Sequence, residues 1–61
     1  MQTVSEPILV KRYGTSRLYD TTRARYVTID ELRRWRAEGA ILVVREAETG
    51  KDITRAILAR R

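Results

Sequence analysis

The chain has no cysteine and no histidine among its 61 residues. Disulfides are therefore excluded, and so are the usual zinc sites, which need thiolate or imidazole ligands. The same absences remove the commonest general base and the thiol nucleophile. Only three glycines are present, far apart at Gly14, Gly39 and Gly50, so no glycine-rich loop can cradle a phosphate. No apolar run approaches the roughly 20 residues of a membrane span. The N-terminus lacks the charged start and apolar stretch of a signal peptide. The chain reads as cytoplasmic and non-enzymatic, with no cofactor expected.

Shortness is itself a constraint. A chain of this size buries only about 60% of the surface its unfolded form exposes, which leaves a thin stability margin. Small domains usually add a disulfide, a metal or a second subunit. With the first two excluded, a homodimer is the expectation from size alone.

What the chain does have is positive charge, +5 overall with 13 Lys and Arg against 8 Asp and Glu. Most of these cations are arginines, the side chain suited to bidentate phosphate and guanine contacts. Ile8 to Thr28, ILVKRYGTSRLYDTTRARYVT, gathers Lys11, Arg12, Arg17, Arg23 and Arg25 with three tyrosines, against the one acid Asp20. Basic side chains interleaved with aromatics suit a polyanion with flat bases, so nucleic acid is the first partner to consider.

Turn residues divide the chain. Met1 to Pro7 is polar and non-periodic, a flexible tail preceding a single domain over 8–61. Short β-branched and aromatic runs predict strands at Ile8–Tyr13, Arg17–Asp20 and Arg25–Thr28, broken by Gly14-Thr15-Ser16 and by Thr21 to Ala24. Thr28 with Glu31 three residues on predicts a capping box, opening a helix through Leu32 and Trp35 to Glu38 that stops at Gly39. Ile41 to Glu46 reads as a further strand and Ala47 to Lys51 as a turn. Asp52 to Thr54 pairs back briefly or caps a last helix over Thr54 to Arg61. The expected fold is a small single α+β domain in the order β-β-β-α-β-(β)-α, with hairpins packed on one or two short helices.

Strand alternation places Lys11 with Tyr13, and Arg17 with Tyr19, on shared faces, while Tyr26 turns away from Arg25 and Val27. At least one tyrosine is expected in the core. Asp30 and Glu31 read as helix-start acids rather than catalytic groups. Trp35 reads as core or interface. Arg36 falls where the apolar stripe of the helix should continue, so either its stem lies along the core edge or that stripe is narrow. Ile57 and Leu58 have few local partners, which predicts that Trp35, Ile57 and Leu58 meet a second subunit.

KRYGTSRLYDTTRARYVTIDEL followed by ILVVREAETGKDITRAIL resembles the N-terminal DNA-binding domain of bacterial polyhydroxyalkanoate synthesis regulators. That domain reads K-[KR]-Y-x-x-R-x-L-Y-[ND]-T, then Y-V-T-L-x-x-L, then V-x-[DE]-A-x-T-G-x-D-I-T-x-x-[IV]-L. The similarity spans about residues 8 to 58. It implies a transcriptional repressor of genes for storage-polyester synthesis and granule-coating proteins, released from promoter DNA when it binds nascent polymer. Carried over by position, Lys11, Arg12, Tyr13, Arg17, Tyr19 and Arg25 would face DNA, and the hairpin charge adds Arg23. Tyr26, Thr28, Leu32, Gly50, Asp52 and Thr54 match fold-keeping positions. Gly14-Thr15-Ser16 departs from the usual A-N-R, and the family continues into a longer helical region that carries the polymer response. The expected partner is double-stranded DNA. Single-stranded RNA stacked on the tyrosines, or a dimeric adaptor without nucleic acid, are the other readings of the same residues.

Overall fold

Alternate residues in the central stretches of the strand segments are apolar, and that alternation builds one buried sheet face. A computed structural model describes residues 7–59; the expected tail lies, apart from Pro7, outside them. The elements are β1 (Ile8–Tyr13), β2 (Arg17–Asp20), β3 (Arg25–Val27), α1 (Ile29–Ala37), β4 (Leu42–Glu46) and α2 (Thr54–Leu58). The strands form one sheet in the order β3-β2-β1-β4. β1, β2 and β3 form an antiparallel meander, and β4 pairs parallel to β1 with Ile8 opposite Leu42 and Arg12 opposite Glu46. The chain crosses from one sheet edge to the other through α1.

Ile8, Val10, Leu18, Val27, Leu42 and Val44 point to one side of the sheet, where Leu32 of α1 and Leu58 of α2 complete the core. Trp35, Ala40, Ile53 and Ile57 pack around it. Burying each large aliphatic side chain is worth about 1.5–3 kcal/mol. Both helices lie on this side, so among the described residues the opposite face of the sheet carries no helix.

Local chemistry sets the joints. The capping box is present: the Glu31 N–H donates to Thr28 Oγ1 at 3.1 Å, and the Thr28 N–H donates to Glu31 Oε1 at 2.9 Å. Gly39, at φ +100°, ends the helix in a backbone state that a β-carbon disfavours. The β2–β3 turn is held by Asp20, fully buried, whose Oδ1 accepts the backbone N–H groups of Thr22 and Arg23 at 2.8 and 3.0 Å. This clamp holds Ala24 at φ +58°.

The optional brief pairing of Asp52 to Thr54 is present as a single bridge between Asp52 and Arg45. Thr54 Oγ1 accepts the Val44 N–H and the Ile53 N–H donates to Val44 O, both at 2.8 Å, so residues 51–54 cover the outer edge of β4 without forming a strand. Three expectations need correcting. The last helix ends at Leu58, because Ala59 is extended; 60–61 lie outside the described residues. Leu58 is only 2% exposed and sits in the chain's own core, which removes the reason for expecting it at a subunit interface. None of the tyrosines is in the core. Arg36 is exposed, so the apolar stripe of α1 is narrow.

Candidate nucleic-acid interface

The residues between the buried strand positions point to the uncovered face. They are Leu9, Lys11 and Tyr13 on β1, Arg17 and Tyr19 on β2, Tyr26 on β3, and Val43 and Arg45 on β4. Register aligns Tyr26, Tyr19, Lys11 and Arg45 in one row across all four strands. Tyr13 and Arg17 stand opposite each other beside it. Tyr19 and Tyr26 meet edge to face, ring centroids 5.2 Å apart with planes at 74°. Tyr13 and Tyr26 are 43% and 59% exposed. The Arg45 guanidinium donates to Gly50 O at 2.9 Å, which steadies the cation while leaving it exposed.

No strand position on this face carries a carboxylate. Asp20 and Glu46 are register partners of Val10 and Arg12 and share their side of the sheet. The strand positions of this face therefore combine three cations with three phenol rings, and beyond the strands Asp52 faces Arg45 as its bridge partner. A polyanion meeting the face gains Coulomb attraction with no strand carboxylate to displace.

The other hairpin arginines are spent inside the fold. Arg12 pairs with Glu46, Nη2 to Oε1 at 2.8 Å and Nε to Oε1 at 3.0 Å. Arg23 pairs with Asp20 at 3.0 Å and lies 4.9 Å over the Trp35 ring. Arg25 reaches Glu31 at 3.1 Å, its carbon 5.9 Å from the same ring. Trp35 is thus half-buried beneath two guanidinium groups. The bonds from the Thr28 backbone and then from Arg25 hold the Glu31 carboxyl below the usual range. Asp52 is lowered by the Thr54 hydroxyl and backbone N–H.

Of the seven nominated DNA-facing residues, the fold brings Lys11, Tyr13, Arg17 and Tyr19 together on the open face and places Arg12, Arg23 and Arg25 on the side of the helices. It adds two that sequence reasoning missed, Tyr26 and Arg45. Their signal was present: Tyr26 precedes the buried Val27 and Arg45 follows the buried Val44, so alternation sends both outward. Among the described residues, no group of His, Cys, Asp and Glu could hold a metal ion, and no helix is long and apolar enough to cross a membrane.

Residues 9–60 match the model of the PHB/PHA accumulation regulator DNA-binding domain. The chain belongs to this family. An uncharacterised protein of Allochromatium vinosum is 38% identical over 50 residues, covering 82% of this chain and 33% of that protein. The chain thus spans about a third of the length of the relative it matches. No solved structure matches it. Membership places the chain among regulator DNA-binding domains.

Proposed function

We propose that the chain binds double-stranded DNA through its open sheet face, as the DNA-contacting part of a transcriptional repressor of polyhydroxyalkanoate genes. The observation that carries this reading is the row Tyr26–Tyr19–Lys11–Arg45 with Arg17 and Tyr13 beside it, on a face free of strand carboxylates. In this reading Lys11, Arg17 and Arg45 neutralise phosphates, and Arg17, near the hairpin tip, reaches a base edge. Arg12, Arg23 and Arg25 contribute by holding β4, the β2–β3 turn and α1 in position. The active species in this reading is a cytoplasmic homodimer. Ile29 and Ile41, 38% and 50% exposed, join Trp35 and Ile57 as the apolar surface available for pairing. Polymer sensing belongs to the helical region that follows this domain in the family.

The test is affinity for random duplex across a salt series. With three phosphates neutralised per chain, log K should fall against log[salt] with a slope of about −2.7, or about −5.4 for a dimer. A slope near zero would contradict the reading. A second reading, unpaired strands stacking on the tyrosines, is favoured by the exposure of Tyr13 and Tyr26. It predicts tighter binding to single strands than to duplex. An adaptor without nucleic acid would show no binding to either.

A further inference from the structure

Beside the β4 edge of the sheet, with both helices among its walls, a groove of about 890 Å³ runs between the end of α1, the 51–54 segment and α2. Arg36, Lys51 and Arg55 give it positive charge, and Ile53, Ala56 and Ala59 give it apolar surface. Among the described residues these three cations make no ion pair. The one acid lining it, Asp52, is committed: its Oδ1 accepts the Thr54 hydroxyl at 2.7 Å and the Thr54 N–H at 2.9 Å. That same hydroxyl is tied to the Val44 N–H, so this wall of the groove is fixed to β4.

We propose that this groove is a docking site for an acidic, amphipathic segment of a partner polypeptide. A segment with carboxylates on one side and apolar side chains on the other satisfies both halves of the lining at once. A phosphate backbone would answer the cations and leave the apolar surface of Ile53, Ala56 and Ala59 uncovered. The choice of a protein occupant rests in one step on the DNA reading: with duplex on the open face, the groove beside the β4 edge stays free. The domain would then hold DNA and a partner protein on separate surfaces.

The test uses a short fluorescent peptide of Glu and Leu in amphipathic helical order, with a Lys and Leu version as control. The whole chain should bind the acidic peptide, ignore the basic one, and bind the peptide equally well when saturated with duplex. Arg36→Glu with Arg55→Glu should weaken peptide binding by about tenfold or more while duplex affinity stays within about twofold. Ala56→Asp, at an exposed position, should weaken it comparably, and circular dichroism should show both variants folded. Absent peptide binding, or binding indifferent to these substitutions, overturns the proposal. So does a parallel loss of duplex affinity in the double variant, which would put phosphate in the groove. If the unaltered chain binds no duplex at low salt, the DNA reading fails by itself. Peptide binding that the substitutions abolish would still assign the groove to an acidic segment.

Discussion

Tyr19 and Tyr26 stand directly opposite one another on β2 and β3, rings edge to face at 5.2 Å, on the side of the sheet that neither helix covers. An aromatic pair in the cross-strand position stabilises a sheet modestly, by about 0.5–1.5 kcal/mol beyond its area. Here one member is largely in solvent, so its place in the pair leaves a ring face for a ligand.

Tyr26→Ala should therefore cost less than about 1 kcal/mol of stability, measured by urea unfolding. It should weaken DNA binding by about 1–3 kcal/mol if a base stacks on the ring. Tyr26→Phe keeps the ring and should bind within about twofold of the unaltered chain. Equal, large losses of stability and binding in Tyr26→Ala would show the ring to be a fold residue.

The Asp20 clamp makes a sharper stability prediction. Its carboxylate is fully buried, and one oxygen takes two turn N–H groups while the other meets Arg23. Asp20→Ala should cost about 3 kcal/mol, since it strips both N–H groups of their acceptor and empties a buried site. For a domain of this size that lowers the thermal midpoint by about 20 °C. Asp20→Asn keeps an acceptor for the turn and should cost less. A thermal scan showing the two variants alike would contradict the clamp.

Acid should unfold the chain in a defined window. Glu31 and Asp52 are both held below their ordinary carboxyl range, Glu31 first by the Thr28 backbone and Asp52 first by the Thr54 hydroxyl. A carboxyl depressed in the folded state adds stability above its unfolded pKa, and that stability is lost as pH falls through the folded value. Stability should be level from neutral pH to about pH 5 and decline below about pH 4. Glu31→Gln should make that decline shallower, read from denaturation midpoints across pH. An unchanged profile would remove Glu31 from the account.

Local elements were legible in the chain. β1 and β2 match their expected bounds because β-branched and aromatic runs there are closed by Gly14 and by Thr21, and the Thr28–Glu31 box is read within four residues. The partners of the arginines were harder, because some come from far along the chain. Glu46 lies 34 residues beyond Arg12, and only the parallel pairing of β1 with β4 brings them together. Leu58 is similar: α2 is too short to show a periodic stripe, and its burial follows from docking on β4 and α1. Asp20 and Arg23 are close enough to have been paired from spacing. Counting Arg23 as surface charge overlooked the acid three residues before it.

In the proposed binding mode the fold sorts its cations, leaving Lys11, Arg17 and Arg45 for DNA while Arg12, Arg23 and Arg25 form ion pairs within the chain. The most direct test is the salt slope of duplex binding for single alanine variants of these six residues. Each open-face variant should reduce the slope by about 0.9 per chain, or about 1.8 for the dimer, whereas Arg12→Ala, Arg23→Ala and Arg25→Ala should leave it unchanged and lower stability instead. Slopes that fall for the ion-paired set and hold for Lys11, Arg17 and Arg45 would contradict the account.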